Sequence, residues 1–276
     1  MDKNIDIILF KMAKNETNFV KFLGTAGARY VVARQLRSSA GIWMNIEGDD
    51  ILIDPGPGTL VKCFSSRPKL DPGKLNAIIL THRHIDHSTD INVMIEAMTN
   101  SGHNKGRIVI APEDAITGEP VIFSHVRPYL SKLEIMKPAA KFEITPNIHL
   151  ITPISHHHTA ETYGLKWLTP IGTISHIIDT AYFDTLLDAY ADSDLLILNV
   201  VRFENKSDRE KGILHLTISD AQKIIGHIHP KFAILTHFGM TMIRAKPWEV
   251  AKKMSDEIGV NVIAASDGMK FDLNQL

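Results

Sequence analysis

Short apolar runs rich in β-branched residues alternate along this chain with stretches whose apolar positions recur every three or four residues. The first pattern marks buried strands and the second amphipathic helices, and their alternation from end to end predicts a layered α/β protein. Strands are predicted at 19–23, 41–47 and 51–54, with Gly48-Asp49-Asp50 turning between the last two. Asp54-Pro55-Gly56-Pro57-Gly58 stops the third strand and opens a helix from about Thr59. Ala77 to Leu80 reads as a fully buried strand, and Ile91, Met94, Ile95 and Met98 give the stretch from Asp90 to Asn100 a helical spacing. Further strands are expected at 107–111, 148–152, 163–168, 172–178, 195–199, 232–236 and 260–264, and helices near 181–191, 219–229 and 247–258. Thr217-Ile218-Ser219-Asp220 fits a cap for the second of these helices. Residues 103–146 are the least regular part; too short for a core of their own, they read as an insertion covering a site within a single domain over 1–276.

Composition narrows the class. The chain has 276 residues, 44% hydrophobic and 22% charged, enough to bury a large core. Its formal net charge of -1 provides no global field to attract long polyanions or an acidic membrane surface, which disfavours a dedicated nucleic-acid binder. A single cysteine, Cys63, rules out an intramolecular disulfide and a cysteine-rich zinc module. The apolar run near the N-terminus is short and broken by Lys11, a poor signal peptide, and no run reaches the length of a membrane span. Cytoplasm is the expected compartment, and a homo-oligomer is compatible with the sequence.

Against this background one stretch stands apart. Thr81-His82-Arg83-His84-Ile85-Asp86-His87-Ser88 follows the apolar run 77–80 directly, so it lies in a strand-to-helix loop where α/β folds place chemistry. Burying several imidazoles and a carboxylate together costs several kcal/mol, on the order expected for uncompensated polar groups, unless a cation compensates them. On an extended segment His82 and His84 point the same way and can share one ion, while Asp86 and His87 can turn toward a second. Three later apolar runs end in further candidates: Ser155-His156-His157-His158, Asp179 and His237. Asp179 suits the place between two ions, because each carboxylate oxygen can bind one metal.

The stretch resembles the HxHxDH motif of the metallo-β-lactamase superfamily. Phe22-Leu23-Gly24-Thr25-Ala26-Gly27 and Ile51-Leu52-Ile53-Asp54-Pro55-Gly56 are similar to that family's opening strands and first acidic turn. Ala191-Asp192-Ser193-Asp194-Leu195-Leu196-Ile197, His215-Leu216-Thr217 and Leu235-Thr236-His237-Phe238 look most like its phosphodiesterase branch, which includes tRNase Z. The resemblance implies a four-layer αββα sandwich. It also implies that His82, His84 and one histidine of the triplet bind a first metal, that Asp86, His87 and His237 bind a second, and that Asp179 bridges. His157 is chosen from the triplet because it precedes Gly164 by seven residues, as in relatives with a similar Glu-Thr-Tyr-Gly segment; the tRNase Z spacing selects His158 instead. Ser88-Thr89-Asp90 replaces the usual glycine pair, Phe238-Gly239-Met240 replaces the expected Ser and Arg after His237, and no Gly/Pro-rich arm is present, all of which argue against tRNase Z itself.

The expected function is a dinuclear metal-dependent hydrolase that activates a bridging water, acting on a phosphodiester or related small anionic substrate. Two divalent ions are expected, with zinc ahead of manganese or iron for imidazole and carboxylate donors. Asp86 is assigned to orient the water or accept its proton, and His215 to protonate the leaving group, as the family resemblance implies. Arg37, beside Ser38-Ser39, and Arg202 are the candidates for contact with an anion. Hydrolysis of a lactone or thioester is the second reading, since the same metal pair suits a carbonyl centre. A metal-bound regulatory or nucleic-acid-associated module without turnover is the third.

Overall fold

A computed structural model of the protein describes residues 17–203 and 214–276. The N-terminal apolar run weighed above as a signal peptide lies outside them. The apolar runs form two seven-stranded mixed sheets. The first contains β1 (Phe19–Phe22), β2 (Ile42–Ile46), β3 (Asp49–Ile53), β4 (Leu75–Ile79), β5 (Ile108–Ala111), β6 (Lys132–Ile135) and β14 (Lys270–Asp272), in the order β14-β1-β2-β3-β4-β5-β6. The second contains β7 (Ala140–Thr145), β8 (Ile148–Thr152), β9 (Leu165–Thr169), β10 (Gly172–Ile177), β11 (Leu195–Asn199), β12 (Phe232–Thr236) and β13 (Asn261–Ala264), in the order β13-β12-β11-β10-β9-β8-β7.

Side-chain alternation decides how these sheets stack. In β4, Ala77 and Ile79 enter the core between the sheets while Ile78 faces outward; in β11, Leu195 and Ile197 point inward and Leu196 and Leu198 outward. The inner core joins Phe22, Met44, Phe142, Leu150, Trp167 and Ile234. Outside the first sheet, Trp43 and Ile78 meet Cys63 and Met94 from the Thr59–Ser65 and Ile91–Thr99 helices. Outside the second, Leu198 and Leu235 meet Ile225 and Met254 from the Ile218–Ile228 and Pro247–Ile258 helices. The result is the helix-sheet-sheet-helix sandwich, with both faces of each sheet covered, so its central strands read as continuous apolar runs.

Local differences from the expected elements have physical reasons. Ile46 pairs with Asp49, so the hairpin turn is Glu47-Gly48, both at positive φ, and β3 starts at Asp49. The helix expected over 181–191 is only Thr185–Ala189, because Ala181 N–H is held by the His157 carbonyl and the helix starts behind that contact. Residues 103–146, expected to be irregular, supply β6 and β7, which form one edge of each sheet, and only Glu119 and Val121 from this stretch line the large cleft described below. Among the described residues no helix is long and apolar enough to cross a membrane.

Candidate metal centre

The parallel strands of both sheets end on the same side of the sandwich, and the polar residues that follow them converge there. Asp54 follows β3, residues 81–87 follow β4, Asp179 follows β10, Asn199 ends β11 and His237 follows β12. The 155–163 loop between β8 and β9 is tied in by two backbone bonds, from Tyr163 N–H to the Thr81 carbonyl (3.2 Å) and from His156 N–H to the Thr162 carbonyl (2.8 Å). A side chain at Gly56 would come within 2.1 Å of the Asp86 carbonyl oxygen, so only glycine lets the 54–58 turn lie against this loop.

Two groups of donors face each other across Asp179. His82, His84 and His158 form one cluster, and Asp86, His87 and His237 the other; within each, one ligating atom per residue lies within 4.8 Å of the rest. His215 joins Asp179 and His158 in a third grouping that overlaps the first. Asp179 Oδ2 lies 4.0 Å from His82 Nε2, 3.7 Å from His87 Nε2, 3.9 Å from His158 Nε2 and 3.7 Å from His215 Nδ1. These gaps are too long for hydrogen bonds, yet close to the separation of about 3.4 Å between two donors that share a tetrahedral ion at about 2.1 Å.

The protonation pattern also favours a cation. Asp54 can only accept, so its Oδ2 takes a hydrogen bond from His87 Nδ1 (2.9 Å) and another from the Thr81 hydroxyl (2.7 Å). That hydroxyl in turn accepts from His82 Nδ1 (3.1 Å), and the Leu214 carbonyl accepts from His158 Nδ1 (3.1 Å). In the neutral form of each of these three rings, the form that binds a metal, the Nε2 lone pair is left to face inward. His87 Nε2 then lies 3.0 Å from His237 Nε2, and His158 Nε2 3.1 Å from His84 Nδ1, while His82 Nε2, His215 Nδ1 and His237 Nδ1 are buried without a hydrogen-bond partner among the described residues. Converging nitrogens of this kind fit a metal site.

The field in the site is correspondingly strong. Burial opposes ionisation of Asp86 and Asp179, but the neighbouring histidines, His87 for the first and His237 for the second, hold both carboxyls well below their ordinary range. Burial pulls His82 well down and His215 to about 4. His87 moves up despite burial, because Asp86 and Asp54 lie against it. Asp54 and His237 both sit at positive φ, 51° and 60°, a conformation that costs roughly 1 kcal/mol and that aims their side chains into the cluster.

The structure gathers His82, His84, Asp86, His87, Asp179, His215 and His237. It does not bring His157 with them: that ring stacks on Phe183 at 3.9 Å, and His158 occupies the place beside His82 and His84. The exchange follows from the loop, since the main chain of His157 is held by Thr180 and Ala181 and its side chain turns away. Arg37 bonds to Thr25 Oγ1 and the Ala265 carbonyl, and neither it nor Arg202 lines the cleft; among the described residues the arginines that do are Arg29 and Arg83. Sequence reasoning gave no role to Asp54, or to Asn199, whose amide Nδ2 donates to Asp179 Oδ1 (2.9 Å) while its Oδ1 accepts from buried His176 (3.0 Å). Asp54 was marked by its place in the acidic turn of the family resemblance, Asn199 by nothing but its place at a strand end.

Comparison with known proteins gives a consistent picture. Residues 49–238 match the family described as Beta-lactamase superfamily domain. An uncharacterized protein of Methanocaldococcus jannaschii is 27% identical over 91% of this chain and 94% of its own length. Ribonuclease Z of Clostridium novyi is 25% identical over 92% of this chain and 99% of its own length. Among solved structures, the metallo-β-lactamase fold protein YhfI from Bacillus subtilis superposes with a TM-score of 0.76 at 18% identity, covering 92% of this chain and 98% of that one.

Proposed function

This chain belongs to the metallo-β-lactamase superfamily, and from that premise we propose that it is a dinuclear metal-dependent hydrolase acting on a phosphodiester or related small anionic substrate. The observation that carries the proposal is the placement of Asp179 Oδ2 within 4.0 Å of nitrogens of both donor clusters, His82 and His158 from one and His87 from the other, with His215 Nδ1 alongside at 3.7 Å. His82, His84 and His158 would hold one ion, Asp86, His87 and His237 the other, and Asp179 would bridge; the imidazole-rich set favours zinc. Divalent ions bound there supply Lewis-acid polarisation of the scissile oxygen and bring the pKa of a water toward neutrality.

The remaining chemistry belongs to the protein. Asp86, the carboxylate with the larger exposure, orients the attacking water and can take its proton. His215 lines the cleft beside Asp179; burial leaves it neutral in the free protein, so it would protonate the leaving-group oxygen with a proton taken up from solvent once the substrate anion lies against it. Asp54 and Asn199 hold the donors without touching substrate, the first through His87 and Thr81, the second through Asp179. The likeness of the 191–197, 215–217 and 235–238 segments to the phosphodiesterase branch supports a phosphorus centre over a carbonyl one. Zinc-loaded protein is expected to turn over bis-p-nitrophenyl phosphate at least tenfold faster than it turns over lactones or thioesters in a matched panel. The reverse preference would establish the carbonyl reading, and metal-bound protein inert toward every substrate would point to a regulatory module.

A further inference from the structure

The donor clusters open into a cleft of about 710 Å³, far larger than one phosphodiester group requires. Among the described residues that line it, the acids Asp86 and Asp179 belong to the metal site, which leaves Glu119, and the arginines are Arg29 and Arg83. Arg83 is the more constrained. It lies between His82 and His84, and its Nε is 3.3 Å from Asp114 Oδ2, with 39% of the side chain exposed. Asp114 is itself clamped: its N–H donates to Glu161 Oε2 (3.1 Å) and its Oδ2 accepts from Glu161 N–H (3.1 Å). Glu161 is held in turn by the Tyr163 hydroxyl (2.8 Å) on Oε1. Asp114 and Glu161 lie on the 3₁₀ turn at Glu113–Ala115 and on the 155–163 loop that carries His158, so the carboxylate that Arg83 pairs with is held in place relative to the metal donors.

Among the described residues, the two Nη nitrogens of Arg83 have no hydrogen-bond partner. A guanidinium whose Nε side faces a carboxylate still presents up to four Nη–H bonds in one plane, the arrangement that receives two oxygens of a phosphate or carboxylate. Holding it by a carboxylate before any ligand arrives reduces the ordering cost of binding.

We propose that Arg83 binds a second anionic group of the substrate, a phosphate or carboxylate beyond the scissile centre, while the first group lies at the metal donors. The substrate class is then a small molecule carrying two anions. The inference rests on the reading of the site as a metal centre but not on its turnover, so binding can test it.

The test is calorimetric titration of zinc-loaded protein with alkane bisphosphonates of two to six methylenes, each against the monophosphonate of the same length. Metal content is measured after each titration. At one or more spacer lengths the bisphosphonate should bind at least tenfold tighter than its monophosphonate. That gain should fall below threefold in Arg83→Met and be intermediate in Asp114→Asn, with the metal retained in both. Absence of a gain at every length, or a gain undiminished in Arg83→Met, overturns the proposal. A gain that depends on Arg83 in a protein that hydrolyses no phosphodiester would instead leave it standing and count against the hydrolase.

Discussion

At the scale of single residues, removing the Asp179 carboxylate and removing the His215 imidazole should have separable effects. Asp179→Ala takes away the oxygen nearest both clusters, so the purified variant should hold roughly one equivalent of metal less and lose most activity. Elemental analysis that finds the full complement would remove Asp179 from the bridging place. His215→Ala should keep its metals yet slow turnover about 100-fold with a poor leaving group, the loss expected for a general acid. The effect should shrink with p-nitrophenolate, which needs no proton to depart. How legible these residues were depended on what surrounds them in the chain. Asp86 and His87 announce themselves because they crowd one short loop after an apolar run, whereas Asn199 is one amide at the end of a strand and acquires meaning only when β10 and β11 pair side by side. The choice between His157 and His158 turns on the contacts of His157 with Thr180 and Phe183, which lie more than twenty residues away in sequence.

At the scale of elements, the Ile218–Ile228 helix shows how little sequence is needed when a local rule applies. Thr217 and Asp220 exchange the two bonds of a capping box, Thr217 Oγ1 accepting from Asp220 N–H (3.3 Å) and Asp220 Oδ2 from Thr217 N–H (3.0 Å). Thr217→Ala should therefore cost about 1 kcal/mol in urea unfolding. Metal content should be unaffected, since the cap lies outside the donor clusters. An unchanged midpoint would mean that tertiary packing alone sets that helix. The strands of the inner core were legible for a similar reason, because residues 77–79 in β4 and 195–198 in β11 are unbroken apolar runs. The edge strands were harder to see. Phe142 and Ile144 in β7 do alternate with Lys141 and Glu143, but only these two of its six residues are buried, and β6 is a four-residue edge with no buried position at all. Strands of that kind are specified by the neighbour that they pair with more than by their own pattern.

For the molecule as a whole, the arrangement implies a direction for stability against pH. Burial pulls His156 to about 3 and His176 to about 4, and it lowers His82, His84, His158 and His215 as well. Each of these takes up a proton more readily unfolded than folded, so its contribution is whole above about pH 6.5 and is lost as the pH falls through the folded values. His87 runs the other way: its contribution is present below about pH 6.5 and lost as the pH rises through its raised folded pKa. The six depressed histidines outnumber it. The urea midpoint of the metal-free protein in EDTA should accordingly decline steadily from pH 7 to pH 5, and a flat profile there would show that these rings are not neutral in the folded chain. The placement of donors at the ends of strands from two sheets has a further consequence for biosynthesis. The cluster of His82, His84 and His158 is complete in covalent terms before β9 is made, whereas the cluster of Asp86 and His87 waits for His237, beyond β12. A chain still on the ribosome therefore carries all three histidines of one cluster before the last donor of the other has been made.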